Sequence, residues 1–425
     1  MKRSAWIHLL VVLAAPPLLA QDAADEEKEK DAKKIEGFRF VWKKRPSLRF
    51  GDMLRVDFRF RTQQDWNLTD PVVDAKAKVY SLKRLRAGVE GEALRGLLEY
   101  EVSYEFAETD FHWKDVYLNV RKWRGLQVRG GRFRIPFSLD QLTGPTNLDF
   151  VERSRIGDRL APGRDTGVLA HGSLLGPRLL KYQFGYFAND GDNSADRNNV
   201  RTGQGAWAGR LTGRLLPAKK LFETLTLGGA FVHSDVPEGL YSLRLRTTHA
   251  QTAFPHYFVL GRRLRSGAEL SWMPGPFSVK AEFVDVREGR QAQGLAGDDV
   301  PDLLERGWYV SGTWALAGQN KAKGFDRGKY IPFVGGFGVV ELAVRAEQIR
   351  FASANSAGRP SRSIRASNVL PQSDRLWTFG VNWYMNQWVK FQANFVREWI
   401  EDSFRAAIPG QAVYWGYKFR LQGSL

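Results

Sequence analysis

Residues 413–421 read VYWGYKFRL, a stretch in which the character of the side chain changes at every step. Alternate positions are polar or small and include Lys418 and Arg420, while valine, tryptophan, tyrosine, phenylalanine and leucine occupy the positions between them. Successive side chains of a β-strand point to opposite faces of the sheet. This period of two therefore predicts a strand with one polar, charged face and one apolar face.

The same period of two recurs over residues 37–425, in about sixteen or seventeen segments that we predict to be strands. The first segment, around residues 38–50, has the weakest pattern. Tight connections, as at residues 274–276, alternate with long polar ones, as at residues 290–306. Short turns at one rim and long loops at the other are typical of outer-membrane barrels. No internal repeat and no linker divides the chain, so we predict a single domain.

The N-terminal residues have the composition of an export signal. Two basic residues precede an apolar run over Trp6–Ala20, after which a charged stretch begins. A basic start followed by a short apolar segment is typical of a secretory signal peptide, which is cleaved after export. We predict a cleaved signal peptide at residues 1–20, a charged flexible N-terminal tail at residues 21–35 and a β-barrel at residues 36–425.

The composition excludes several classes of protein. The chain has no internal run of about 20 apolar residues, the length that a transmembrane helix needs, so a helical membrane protein is excluded. It has no cysteine, which excludes zinc–thiolate sites and cysteine nucleophiles. Its 63 Lys and Arg residues outnumber its 46 Asp and Glu residues, giving a formal charge of +17. Such an excess of positive charge predicts an anionic partner.

A closed barrel explains the alternation better than a soluble sandwich does. Aromatic residues crowd near the ends of the predicted strands, as at Trp377, Trp399 and Trp415, where they suit a membrane girdle. Charged residues occupy nearly every polar face, which suits a watery interior because lipid penalises a lysine or arginine by about 2–4 kcal/mol. Backbone groups in lipid must all be paired, so the sheet has to close. We predict an all-β fold, a closed antiparallel transmembrane β-barrel of about 16 strands around an aqueous channel.

Several stretches, taken in order, carry a resemblance to a known family. They are GRFRIPFSLDQLT at residues 131–143, FVERS at 150–154, PGRDTGV at 162–168, GYFANDG at 185–191 and GVNWY at 380–384. The chain resembles the phosphate-selective porins O and P. This resemblance implies a passive pore for phosphate or related small anions in the outer membrane of a Gram-negative-type bacterium, usually as a homotrimer. It also implies that one long loop, here Asp140–Arg164, folds into the lumen and narrows it.

Arginine suits an anion path because its guanidinium group is always charged and its planar fork matches phosphate oxygens. Our candidates for pore-lining, anion-binding residues are the basic residues assigned to the polar faces: Arg55, Arg59, Arg61, Arg84, Arg86, Arg121, Arg129, Arg132, Arg134, Arg345, Lys390, Lys418 and Arg420. The candidates in the constriction loop are Arg153, Arg155, Arg159 and Arg164. The chain carries no common nucleotide, zinc or nucleophile motif. We therefore expect no enzyme activity, no catalytic or metal-binding residue and no cofactor.

Other interpretations stay open on the sequence alone. Lumen arginines are often paired with carboxylates, and five glutamates are available as partners: Glu99, Glu101, Glu105, Glu341 and Glu347. Other arginines would then face lipopolysaccharide phosphates at the rim, which makes outer-membrane lipid an expected partner. The pore could also be a general, sugar or organic-anion porin, which Tyr117 and Trp113 in the lumen would favour. The remaining alternative is a soluble secreted β-protein. Nucleic acid is not an expected partner, because the basic residues are spread over many strands.

Overall fold

The structure is a computed structural model. It describes residues 37–42, 45–72, 78–107, 112–174, 179–192, 205–214, 222–248, 251–316, 320–323, 338–355 and 358–425. The predicted signal peptide, residues 1–20, and the predicted tail, residues 21–35, lie outside these ranges. Within the described ranges, no helix has both the length and the apolar character needed to cross a membrane.

The main sheet has eighteen strands, sixteen of which form a closed antiparallel ring. The ring strands are β3 (Leu54–Asp70), β4 (Tyr80–Ala93), β5 (Leu98–Glu105), β6 (Trp113–Val120), β7 (Gln127–Arg134), β8 (Arg164–Leu174), β9 (Leu180–Phe187), β10 (Ala206–Arg214), β11 (Thr226–Val236), β14 (Gly261–Trp272), β15 (Phe277–Glu288), β16 (Leu303–Ala315), β17 (Val339–Ser353), β18 (Gln372–Tyr384), β19 (Val389–Ile400) and β20 (Val413–Ser424). The last strand, β20, pairs with the first, β3, from Trp415 opposite Asp70 to Ser424 opposite Arg61. The predicted closed antiparallel barrel is confirmed.

Four further strands lie outside the ring. β1 (Phe38–Trp42) and β2 (Pro46–Phe50) form a hairpin, and β2 pairs with the first residues of β3. This hairpin is the segment with the weakest alternation, and it extends the sheet beside the ring without adding a strand to it. β12 (Leu245–Arg246) and β13 (Thr252–Phe254) form a separate two-stranded sheet between β11 and β14.

The apolar face of the barrel is its exposed face. On β16, Trp308, Val310 and Trp314 are between 39% and 48% exposed, whereas Glu305 and Thr313 at the alternate positions are buried. Most positions on the other strands repeat this arrangement, with apolar side chains outward and polar ones inward, although some outward positions near the strand ends, such as Arg306 and Arg350, are charged. An apolar outer face with a polar interior is what a barrel in lipid requires.

The connections differ in length between the two rims. One rim has short turns such as residues 94–97 and 385–388, and we call it the short-turn rim. The other has longer segments such as residues 135–163 and 237–260, and we call it the long-loop rim. Two connections at the short-turn rim are also long, residues 215–225 and 316–338. In bacterial outer-membrane barrels the short turns are periplasmic and the long loops extracellular.

Candidate functional site

Residues 135–163 connect β7 to β8, and we call them the β7–β8 loop. The loop contains two short helices, α1 (Leu139–Leu142) and α2 (Arg155–Arg159). Each helix begins at a serine, Ser138 or Ser154, whose hydroxyl oxygen accepts a backbone N–H from the first turn. Such N-caps satisfy amides that the helix itself leaves unpaired. The loop therefore has its own local structure.

Apolar side chains of the loop pack against the barrel. Ile135, Phe137 and Ile156 are almost completely buried in one cluster with Val284 of β15 and Ile349 of β17. These two strand residues stand at alternate positions to the exposed apolar face, so they point inward. Burying a side chain of this size contributes about 1.5–3 kcal/mol. Apolar packing therefore fixes the loop to the inward face of β15 and β17.

Backbone groups of the loop are paired with inward-facing polar side chains. The carboxylate of Glu282 on β15 accepts hydrogen bonds from the amides of Leu139 at 2.6 Å and Asp140 at 2.9 Å. Nζ of Lys390 on β19 donates to the carbonyl of Leu148 at 2.7 Å. Buried backbone groups need such partners, because leaving one unpaired costs about 1–3 kcal/mol.

Asp149 connects the loop to the barrel through two lysines. Its carboxylate lies 2.7 Å from Nζ of Lys280 on β15 and 2.8 Å from Nζ of Lys321. Burial alone would raise the pKa of Asp149, but the two ammonium groups outweigh this effect and hold the pKa well below its usual range. Lys321 also forms an ion pair with Glu341 of β17 at 2.5 Å. Asp149 is therefore a charged carboxylate held by two lysines, one on β15 and one in the connection between β16 and β17.

Glu152 makes a similar contact with β20. Its carboxylate lies 2.6 Å from Nζ of Lys418. The side chain of Glu152 is about half exposed, and the ammonium group of Lys418 holds its pKa well below the usual value of a glutamate. Lys418, a predicted pore-lining residue, is thus paired with the loop.

Arg155 is the third loop residue that forms ion pairs with the barrel strands. Its guanidinium group lies 2.7 Å from Glu398 of β19 and 3.1 Å from Asp374 of β18. Arg345 of β17 donates to the carbonyl oxygens of Glu152 at 3.1 Å and Arg153 at 3.3 Å. These contacts and the preceding ones fall on β15 and on β17 to β20, which form one side of the ring.

A cavity of about 260 Å³ lies on the other side, between the loop and the inward face of β3 to β9. Leu142, Gly144 and Pro145 form its loop wall, and Tyr117 and Gln183 contribute to its strand wall. Its charged lining consists of six arginines and two acidic residues: Arg59, Arg61, Arg86, Arg129, Arg134, Arg164, Glu101 and Asp115. All six arginines are among those predicted from the sequence, but the assignment of Arg164 to the constriction loop is wrong, because Arg164 is the first residue of β8 and pairs with Arg134 of β7.

Three of these arginines are paired with carboxylates. Arg59 lies 2.6 Å from Glu90 and 2.7 Å from Glu101. Arg86 lies 3.1 Å from Glu105. Arg164 pairs with Asp115 at 2.9 Å. The expectation that lumen arginines pair with glutamates is confirmed for Glu101 and Glu105, and likewise for Glu347, which lies 2.9 Å from Arg345, and for Glu99, which lies 3.8 Å from Arg121. Glu341 pairs with Lys321 instead.

The other three arginines of the cavity have no ion-pair partner among the described residues. Arg134 donates to the loop carbonyls of Leu142 and Thr143, and the guanidinium of Arg129 lies 4.3 Å from the ring centroid of Tyr117. Nε of Arg61 has no hydrogen-bond partner in the described chain. Two carboxylates line the cavity, and two more, Glu90 and Glu105, pair with its arginines from outside the lining. Six arginines therefore face four carboxylates, and the net charge of the cavity is positive.

The remaining predicted residues have other partners. Five of them form ion pairs: Arg55 with Asp57, Arg121 with Glu92, Arg132 with Asp192, Arg159 with Asp158, and Arg420 with Asp65. Arg84 donates to the side-chain oxygen of Gln63 at 2.5 Å. Arg153 donates to the loop carbonyl of Thr143 at 2.7 Å. The structure therefore separates the predicted residues into a cavity group, a loop-holding group and residues paired elsewhere.

Three residues that hold the loop were not among those predicted from the sequence: Lys280, Glu282 and Lys321. Lys280 and Glu282 stand on the inward face of β15, where alternation with Ala281 and Phe283 would have identified them. Lys321 lies in the connection between β16 and β17, where no period marks a side chain as inward-facing.

A closed barrel with an apolar outer face, a polar interior and a basic internal cavity defines an outer-membrane porin, a channel rather than an enzyme. The family model described as "Phosphate-selective porin O and P" matches residues 55–407, and the chain belongs to this family. The family places the protein in the outer membrane, so the alternative of a soluble secreted protein is wrong.

The chain is also similar to individual porins, to one in sequence and to others in fold. Porin O of Pseudomonas aeruginosa is 27% identical over 137 residues, which are 31% of this chain and 28% of that protein. OmpT of Vibrio cholerae, solved in a trimer form, has a TM-score of 0.53 at 12% identity, covering 88% of this chain and 100% of OmpT. OprB of Pseudomonas putida has a TM-score of 0.53 at 11% identity, covering 95% of this chain and 97% of OprB. The two structures are similar in fold.

Proposed function

We propose that the porin is a passive, anion-selective diffusion channel for phosphate or related small anions. The observation that carries the proposal is the cavity lined by six arginines and two acidic residues, three of the arginines lacking an ion-pair partner among the described residues. In this proposal the β7–β8 loop lies in the lumen, docked on β15 and β17 to β20, and anions pass between it and β3 to β9.

The chemistry of arginine supports this selectivity. An anion that enters a narrow pore loses part of its hydration shell, and the pore must replace the lost contacts without holding the ion. Arg61, Arg129 and Arg134 offer guanidinium donors that match phosphate oxygens and are weakly hydrated themselves. The carboxylates beside the other arginines limit the positive charge, which keeps binding weak enough for release.

Ion substitution in planar bilayers tests the proposal. With a KCl gradient across the membrane, the sign of the reversal potential should show that chloride is preferred over potassium. Phosphate added at millimolar concentration should reduce the chloride current by occupying the arginine-lined cavity. A preference for potassium would refute anion selectivity, and a chloride current unaffected by phosphate would refute a phosphate site.

Tyr117 favours one alternative, a porin for sugars or organic anions, because its ring lines the cavity. Trp113, the other aromatic residue considered for such a role, is 55% exposed and does not line it. Competition between phosphate, pyrophosphate and maltose for block of the current separates the two functions. Block by maltose at concentrations where phosphate has no effect would favour the sugar porin.

We also propose that the protein is a homotrimer, as the family resemblance implies and as the trimer form of OmpT from Vibrio cholerae illustrates for a similar fold. Chemical cross-linking in the membrane, followed by electrophoresis, should give a product of three times the protomer mass. A cross-linked series that ends at the dimer would contradict this assembly.

A further inference from the structure

The outer surface of the barrel carries a row of arginines near the long-loop rim. Arg287 lies on β15, Arg306 on β16, Arg350 on β17 and Arg375 on β18, and all four are exposed. Each stands at the same alternate positions as the outward apolar residues of its strand, so the row faces away from the lumen. We call these four residues the outer arginine row.

The strand register brings the four arginines together. Arg306 and Arg350 are direct cross-strand partners. Arg287 stands diagonally across from Arg306, because it opposes Leu304, and Arg375 stands diagonally across from Arg350. Direct partners have Cβ atoms about 4.5–5.5 Å apart and diagonal neighbours about 7–8 Å, and like charges directly opposite each other destabilise a sheet. The row is therefore a site of repulsion that an anion would relieve.

The described residues supply little negative charge to the row. Asp285 on β15 forms ion pairs with Arg287 at 3.4 Å and with Arg306. Among the residues that the structure describes, no hydrogen-bond or ion-pair partner is present for the side chains of Arg350 and Arg375. One carboxylate among four arginines leaves a surplus of three positive charges on this part of the outer face.

The aromatic residues beside the row indicate its depth in the membrane. The next outward positions toward the middle of the barrel are Trp308 after Arg306 and Trp377 after Arg375, and these rings are 39% and 46% exposed. Tryptophan rings on a barrel surface lie at the level of the lipid headgroups. The outer arginine row is therefore level with the headgroup layer on the side of the long loops, which is the outer leaflet.

We propose that the outer arginine row binds the phosphate groups of lipopolysaccharide in the outer leaflet. A phosphate between Arg306 and Arg350 would accept charge-assisted hydrogen bonds from both guanidinium groups and convert their repulsion into a shared contact. The site is separate from the proposed anion path, because the row lies on the outer face and the cavity on the inner one. It also explains why arginines are tolerated on a surface that faces the membrane.

Titration of the purified full-length protein with lipopolysaccharide in detergent tests the proposal. The double variant Arg306→Gln/Arg350→Gln should bind about twenty-five-fold more weakly, since each arginine at an anionic lipid surface contributes roughly fivefold. The matched control is Arg95→Gln/Arg124→Gln, which removes two arginines from turns at the short-turn rim and should bind as the wild type does. Heat-modifiable electrophoretic mobility and an unchanged conductance would show that both variants are folded.

Two further arms identify the source of the phosphate. Lipopolysaccharide stripped of its phosphates should bind the wild type as weakly as the intact lipid binds the double variant. Inorganic phosphate at millimolar concentration should not displace the lipid, and displacement would assign the row to free phosphate instead. Equal affinity of the double variant and the wild type overturns the proposal. Loss of the oligomer at unchanged lipid affinity also overturns it, because the row would then be a contact between copies.

Discussion

Asp149 of the β7–β8 loop accepts a hydrogen bond of 2.8 Å from Nζ of Lys321. The loop leaves the ring at the long-loop rim, whereas Lys321 belongs to the connection between β16 and β17 at the short-turn rim. This pair therefore joins chain segments from opposite ends of the barrel. Because Lys280 of β15 binds the same carboxylate, Asp149 connects the loop to a barrel strand as well.

The substitution Asp149→Asn should loosen the loop without unfolding the barrel. It leaves two largely buried lysines without their shared carboxylate. Removal of one partner from a fully buried ion pair costs about 3–5 kcal/mol, and we expect less here because Lys321 keeps its ion pair with Glu341. We expect larger fluctuations of the open-channel current in single-channel recordings. Open-channel current fluctuations as small as those of the wild type would show that Asp149 does not fix the loop. The substitution Asp52→Asn, at an exposed position beside the short-turn rim, is the control.

The ion pairs of Asp149 should persist in acid. The pKa of this carboxyl is held far below 3.8, the ordinary value of an aspartate. A carboxylate with a depressed pKa in the folded state stabilises the fold fully above its unfolded pKa and loses that contribution as pH falls through the folded value. We expect the fluctuations of the open-channel current to be equally small at pH 7 and at pH 5, when both are recorded in the same salt. Current fluctuations that rise between these values would contradict the depressed pKa.

The barrel could be predicted from the sequence because its strands obey one simple rule. Alternation assigns Lys418 and Arg420 to the inner face, as the structure has them, and it is clear on strands such as β16, β19 and β20. On β3 a bulge at Gln63 and Gln64 interrupts it. The hairpin β1–β2 gave a weak signal for a physical reason. It pairs with only one edge of β3 and is not part of the ring, so alternation alone does not separate sixteen ring strands from seventeen.

The division of the cations between cavity and loop could not be predicted from the same rule. Alternation gives Lys390 and Arg61 the same environment, since both are basic residues on inward faces. In the structure, Lys390 is committed to the carbonyl of Leu148, whereas Arg61 lines the cavity. The difference depends on where the β7–β8 loop packs, and this depends on contacts between residues far apart in the chain.

The substitution Arg61→Gln should weaken the preference for anions. Arg61 lines the cavity and its Nε has no hydrogen-bond partner in the described chain, so the change removes positive charge without leaving an orphaned carboxylate. A unit charge 4 Å from an ion is worth about 1 kcal/mol in water, and its loss disfavours chloride and favours potassium by that amount each. The chloride-to-potassium permeability ratio should therefore fall by up to about thirtyfold. Reversal potentials in a KCl gradient measure this ratio.

Its control is Arg95→Gln, which removes the same charge from an exposed turn at the short-turn rim. We expect the permeability ratio of this variant to stay at the wild-type value. Equal effects of the two substitutions would mean that the net charge of the protein, and not the cavity, sets the selectivity.

The substitution Glu101→Gln should act in the opposite direction. Glu101 lines the cavity and lies 2.7 Å from Arg59, which keeps a second partner in Glu90. Loss of this negative charge should raise the chloride-to-potassium ratio by a factor similar to the one lost in Arg61→Gln. The measurement is again the reversal potential, and an unchanged or lower ratio would place the permeating ion away from this wall.

The inward face of β14 makes room for the loop at Gly267. A Cβ atom built there would lie 3.2 Å from Cζ of Phe137 in the loop, with no other contact closer than 3.4 Å. The substitution Gly267→Leu should therefore push Phe137 and the loop away from this wall and toward the arginine-lined cavity. Because the cavity lies on the far side of the loop, we expect a lower single-channel conductance from a barrel that still shows heat-modifiable mobility.

Two further variants decide whether that effect acts through the loop. Gly229→Leu places the same side chain on the neighbouring strand β11, at an outward position where only Gly267 O lies within 4 Å, and should leave the conductance unchanged. The double variant Gly267→Leu/Phe137→Ala removes the ring that the new leucine displaces. It should recover conductance, since the added and removed volumes then compensate. A conductance that stays low in the double variant would locate the effect in strain of β14 itself.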